Sequence, residues 1–254
     1  MDKASGLTVE RYNNTGKRPG NNISAGSSPE WKHVDLVVTE DTSTLYVNGE
    51  KVGEQISTYK LSDILGESGG IIQIGKANWG SGEYYQGLID NVKIYNTAKS
   101  PEFIKEHSSI KNPEPVKPVA PDVVEDGGLL VQYDMSTIED GKLKDVSGLK
   151  NDANAVGMTQ ENILVVEEVP ALNFTGNKNQ YIELPMLEGV MDEEFTIETT
   201  VSTSNGAYHW LWCLGSKVKG TGNNYLYVDP CYSTGYVRGG IKGETEERIF
   251  GGCH

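Results

Sequence analysis

The residues best equipped for chemistry in this chain are rich in oxygen. The stretch DVSGLKND (145–152) gathers Asp145, Ser147, Asn151 and Asp152. Asp134 precedes it, and Asp90 lies in an apolar strand pattern. Hard cations take several oxygens at once, so such a set suits a cation; the same residues also make an ordinary Asx-turn loop. A second set is aromatic: Trp79, Tyr84 and Tyr85 in NWGSGEYY (78–85), with Tyr208, His209 and Trp210. Pyranose rings present apolar C–H faces ringed by hydroxyls, and an exposed ring beside polar groups matches both. Trp79, in a loop beside glycine, has no core to pack, whereas Trp31 and Trp212 fall in alternating strands and read as core.

Signatures of catalysis are missing. No H-E-x-x-H or G-x-S-x-G occurs, and His33, His107, His209 and His254 do not cluster along the chain. DEEF (192–195) and ETEE (244–247) read as solvated turn charges. A net charge of −14, from 36 acidic and 22 basic residues, repels phosphate backbones and anionic lipid and favours cations such as Ca²⁺. Neither nucleic acid nor a membrane is an expected partner: no window approaches ~18 consecutive apolar residues. The start, MDKASGLTVE, has no apolar signal core, so an export signal is expected outside this chain.

The elements that position these residues read as strands. In the 254 residues, 30 Gly and 13 Tyr against 4 Phe suit a turn-rich β protein. WKHVDLVV (31–38) alternates with Val34, Leu36 and Val38 apolar, and Asn48-Gly49 predicts a type I′ hairpin over 44–54. IIQIG (71–75) and YQGLIDNVKIYN (85–96) add two strands, the latter alternating Leu88, Asp90, Val92 and Ile94 against Ile89, Asn91, Lys93 and Tyr95. Ser100-Pro101-Glu102 before FIKEH predicts a short capped helix near 100–107. Further strands are expected at 129–135, 171–174, 180–185, 194–203, 209–216, 224–230, 235–241 and 247–252. Between the two groups, residues 108–128 hold four prolines and end in Gly-Gly, the composition of a linker. Cys213, Cys231 and Cys253 lack metal-site spacing. A Cys213–Cys231 disulfide requires that their strands be neighbours; the alternative is buried thiols.

These strands carry a family resemblance. Tyr133-Asp134, DVSGLKND, Ala171 to Phe174, Tyr181 to Pro185, Phe195 to Ile197, WLWCLG (210–215) and NYLYVDP (224–230) resemble the opening motifs of laminin-G-like jelly rolls of concanavalin A type. Trp31 to Val34, Leu45 to Gly49 and Gly87 to Tyr95 resemble their closing motifs. The likeness is to modules attached to secreted bacterial family-43 glycoside hydrolases acting on arabinan and xylan. The order is reversed: 1–107 resembles the closing half of one repeat and 129–254 the opening half of the next. VDPCYSTGYV (228–237) even resembles MDKASGLTV (1–9). Two halves joined by a linker could complete one circularly permuted sandwich, pair between chains, or be completed by neighbouring domains of a longer protein.

The resemblance implies an all-β, concanavalin A-like jelly-roll sandwich of antiparallel sheets with one short helix, located outside the cell or at its surface. It implies a structural Ca²⁺ where first and last strands meet, with Asp90 and Asp134 as carboxylates and Asp145, Ser147 and Asn151 from the loop. It implies a non-catalytic module, since the E-x-D-x-x-E strand signature of concanavalin A-like glucanases is absent. Such a module binds a plant-type polysaccharide such as arabinan or xylan, through Trp79, Tyr84, Tyr85, Tyr208 and Trp210, or positions a neighbouring catalytic domain. The alternatives are a structural spacer or adhesin-type module, and a fragment of a glycoside hydrolase.

Overall fold

Alternation decides the first strand. In β1 (Lys32–Val38), Val34, Leu36 and Val38 enter the main core, while Val37 joins a smaller cluster with Tyr46 and Ile104. β2 (Thr42–Val47) and β3 (Glu50–Ile56) follow as a hairpin with Val47 opposite Glu50. Asn48 and Gly49 between them take φ of 50° and 82°. Positive φ at both central residues is the backbone of the expected two-residue turn. The computed structural model describes residues 31–56, 70–77, 84–108, 128–187, 194–203, 210–216, 225–232, 236–242 and 246–252.

β4 (Gly70–Ile74) and β5 (Gln86–Tyr95) lead to helix α1 (Pro101–Ser108). Its start follows from capping: the Phe103 amide donates to Ser100 Oγ at 3.2 Å, and Pro101, which has no amide proton to satisfy, opens the helix. Ile104 is fully buried against Val37 and Tyr46, and Phe103 meets the Tyr95 ring edge-on at 5.6 Å. The helix therefore closes over the face of the sheet that points away from the main core.

After the linker come β6 (Leu129–Tyr133), β7 (Ile138–Glu139), β8 (Lys142–Leu143), β9 (Ala153–Val156), β10 (Ile163–Val166), β11 (Val169–Thr175), β12 (Tyr181–Glu183) and β13 (Phe195–Ser202). β14 (Trp212–Ser216), β15 (Tyr225–Tyr232), β16 (Tyr236–Lys242) and β17 (Glu246–Gly252) complete the described strands. One sheet runs β10-β11-β5-β13-β1-β2-β3, with β6 also on β5; the other runs β17-β16-β15-β14-β4-β12-β9-β8-β7. Every described pairing of strands is antiparallel. The main core fills the space between the sheets, from Leu36, Leu45 and Ile94 on one side to Ile74, Ile182 and Trp212 on the other.

Strands from before and after the linker share both sheets. β13 lies between β5 and β1, and β4 lies between β14 and β12. The decisive pair, strand 85–96 with strand 129–135, forms within the chain: Val92 faces Tyr133 and Ile94 faces Val131. Residues 1–30 and 109–127 lie outside the described residues.

One expectation for β5 fails for a local reason. Its alternation is broken by a bulge, since Asp90 faces Thr200 and Lys93 faces Glu198, leaving Asn91 and Val92 against Thr199 alone. Asn91 takes φ 51° there, and a residue added to one strand switches which side chains face the core. The main core thus takes Ile89, Val92 and Ile94 from this strand, switching from odd to even positions at the bulge. Trp212 is in the core as expected, whereas Trp31 is only half-buried. Cys213 is a buried thiol whose cross-strand neighbour is Tyr227, not Cys231.

Candidate functional site

The oxygen-rich candidates converge on a seam in the first sheet. Along one edge of β5, β11 pairs with Gln86 to Ile89 and β6 pairs with Val92 to Tyr95. Asp90 sits where one partner ends and before the other begins. Asp134 directly follows Tyr133, the residue opposite Val92, so the two carboxylates approach each other. Asp90 is only 3% exposed. Burial pushes its carboxyl up to about 7; the Asn91 amide counters this, and the Asp134 charge adds to it. Asp134 Oδ1 accepts from the Ser136 amide and hydroxyl at 3.0 and 2.7 Å, leaving Oδ2 for another partner. Backbone strain lies on both sides, since Met135, like Asn91, has positive φ (52°).

The loop part of the expected cation set behaves differently. Asp145 Oδ1 accepts from the amides of Gln132 and Ser147 at 3.0 and 2.9 Å. Its Oδ2 accepts from Ser147 Oγ and the Asn151 amide at 2.8 and 2.9 Å. With two donors on each oxygen, the carboxylate holds its own loop together, and Ser147 Oγ is one of the donors. Asn151 is likewise engaged, its amide side chain donating to Leu130 O at 2.8 Å and its carbonyl accepting from Tyr133 Oη at 2.6 Å. Asp145, Ser147 and Asn151 therefore form an Asx-turn clasp that ties β6 to the loop. Outside this clasp, Asp90 is a buried carboxyl beside a second carboxylate, Asp134.

The aromatic candidates also divide. Tyr85 and Trp210 are each 1% exposed, which excludes them as open platforms. Tyr85 packs edge-on to Phe174 at 5.7 Å and directs its hydroxyl to the carbonyls of Leu88 and Ser202, both at 3.3 Å. Trp210 stacks on Tyr227 at 3.8 Å, in a cluster with Ala77, Cys213 and Tyr225. Tyr84 remains half-exposed. Trp79 and Tyr208 lie outside the described residues, but the ends of their loops do not. Tyr84 bridges Trp210 in parallel, and Thr203 Oγ1 donates to Gln86 O at 2.8 Å. Tyr84 and Trp210, which follow 78–83 and 204–209 in sequence, are therefore neighbours.

Sequence reasoning missed a polar cluster on the helix-covered face of the first sheet. His33, Asp35 and Glu198 bring one donor atom each within 4.8 Å of one another. His33 and Asp35 looked like mere interruptions of an apolar pattern, and Glu198 is distant in sequence. The only available signal was that all three occupy the same side of alternating strands.

Two facing antiparallel sheets, a core between them and, among the described residues, one short α-helix define a concanavalin A-like jelly-roll sandwich. Residues 2–105 match the family model described as the concanavalin A-like lectin/glucanases superfamily. No curated protein matches the chain, and no solved structure does.

Proposed function

We propose that this chain is a non-catalytic, laminin-G-like module of an exported bacterial carbohydrate-active protein. It binds a plant-type polysaccharide such as arabinan or xylan at one end of the sandwich. The observation that carries this reading is the Tyr84–Trp210 bridge, because Tyr84 follows 78–83, which holds Trp79, and Trp210 follows 204–209, which holds Tyr208. The binding residues reduce to Trp79, Tyr84 and Tyr208. A Ca²⁺ ion held by Asp90 and Asp134 stabilises the β5–β6 seam and takes no part in chemistry. Hard-cation coordination would offset the repulsion between the two carboxylates, which is what its ligand set supplies.

Pull-down on insoluble arabinan and xylan tests this reading. Retention of the wild type and its loss in Trp79→Ala or Tyr208→Ala is expected. A folded wild type that no polysaccharide retains overturns it. The burial of Tyr85 and Trp210 favours a second reading, a structural spacer or adhesin-type module, and that result would support it. Reducing-sugar release from either polymer would instead indicate a hydrolase fragment.

A further inference from the structure

The first sheet carries a buried charge arrangement that ordinary packing does not explain. Asp35 on β1 and Glu198 on β13 are directly opposite each other in register. They are 0% and 1% exposed, on the face away from the main core. Like charges facing each other across two strands destabilise a sheet, and burial magnifies the cost.

The two carboxylates are not equally provided for. Glu198 is held on both oxygens: His107 Nδ1 of α1 donates to Oε1 at 3.1 Å, Tyr95 Oη donates to Oε2 at 3.1 Å, and Lys93 Nζ lies 3.5 Å from Oε2. Asp35 pairs with His33, whose Nε2 lies 2.9 Å from Oδ1, while its Oδ2 has no hydrogen-bond donor among the described residues. The other ring nitrogen of His33 is 3.3 Å from Thr200 Oγ1, which orients the ring. Asp35 Oδ2 is thus a buried carboxylate oxygen without a hydrogen bond, next to a carboxylate that already has its supporting partners.

We propose that His33, Asp35 and Glu198 form a binding site for a divalent first-row transition metal, zinc or a metal of similar preference. One imidazole and two carboxylates are the mixed nitrogen–oxygen donor set that such ions take, and imidazole argues against calcium here. A 2+ charge between Asp35 and Glu198 offsets the cross-strand repulsion and gives the unpartnered Asp35 carboxylate oxygen a ligand to hold. His107, Tyr95 and Lys93 then support the ligand Glu198 from outside, as hydrogen-bond partners do at protein metal sites. The ligands come from β1 and β13, which lie on opposite sides of the linker in sequence. The bound ion would fasten the two segments of the chain beneath α1. With His33 and His107 side chains 12% and 21% exposed, the cluster lies close to solvent at its edge.

Cobalt titration of the whole, metal-stripped chain tests the site. Wild-type protein is expected to bind one equivalent of Co²⁺ with visible d–d absorption and to release it to Zn²⁺. Asp35→Asn, which keeps the shape and removes a buried charge, is expected to weaken binding by roughly 100-fold or more, as is His33→Gln. Absence of d–d bands at excess Co²⁺ overturns the proposal, as does binding of equal strength in both folded variants. The cluster would then be an ion-pair network neutralised by His33, His107 and Lys93. If neither variant folds, the wild-type spectrum decides: nitrogen–oxygen bands without thiolate-to-cobalt charge transfer support the site. Charge-transfer bands place the metal on cysteine and overturn it.

Discussion

Replacing Asp90 by Asn tests the seam between β5 and β6 most directly. The buried carboxyl titrates at about 7 in the folded chain, against an ordinary value of 3.8. The folded state therefore holds a proton that the unfolded state has released. For this group, stability is highest below about pH 4, declines as pH rises from there, and reaches its lowest level above about pH 7. At ~1.36 kcal/mol per pH unit, the full penalty is about 4 kcal/mol as an upper bound. Asn cannot ionise, so the penalty disappears while the shape is kept; its buried amide retains part of the polar cost, leaving an expected gain of about 2–4 kcal/mol at pH 8.

The assay is denaturant unfolding of wild type and Asp90→Asn in EDTA, at pH 5 and pH 8. Asp35, which burial also raises, titrates in both proteins and cancels in the comparison. The advantage of Asp90→Asn should be large at pH 8 and small at pH 5. Adding Ca²⁺ at pH 8 should stabilise the wild type and leave the variant unchanged. A difference between the two proteins that is the same at both pH values would refute the assignment of a buried, raised carboxyl. A wild type whose melting temperature EDTA does not alter would refute calcium at the seam.

Two further substitutions test the surrounding structure. Asp145→Ala removes the acceptor shared by four donors and should cost about 2–4 kcal/mol in urea unfolding, because Asp145 clasps the loop. Ile104→Ala empties the contact of α1 with Val37 and Tyr46 and should cost about 2–4 kcal/mol by the same measurement.

The fold was legible wherever a local pattern was strong. Alternation revealed β1, Asn48-Gly49 located the hairpin, and Ser100-Pro101 marked the start of the helix, because each depends on neighbours within a few residues. β7 and β8, two residues each, carry no periodicity, and the exposed Leu164 and Val165 of β10 hide an edge strand inside an apolar run. The bulge at Asn91 was also invisible, since Asn is an ordinary strand residue until its φ is known. For the site, Asp90 and Asp134 are close enough for the charge of one to act on the other. The roles of Asp145, Tyr85 and Trp210 did not follow from residue type. A loop carboxylate and a strand-end aromatic look alike whether they face a ligand or the protein, and only the donors around Asp145 and the burial of the two rings separate the cases.

The interleaving of strands leads to one more test. In the first sheet, β13 hydrogen-bonds to β5 along Thr196 to Ser202 and to β1 along Phe195 to Val201, so both neighbours of this central strand come from the other side of the linker. Neither segment can bury its apolar face alone. A tether by itself holds two segments weakly: doubling its length costs about 0.6 kcal/mol, and the local concentration a short one provides is on the order of millimolar. The contact between segments is a sandwich core, far stronger than such a tether. A chain carrying a protease site within 108–128 should therefore remain one particle after cleavage, with both fragments co-eluting under native conditions and separating only in denaturant. Two fragments that part at micromolar concentration while each retains β-sheet circular dichroism would show that each segment completes its sheets by other means, and would refute the pairing of β13 with β5 and β1.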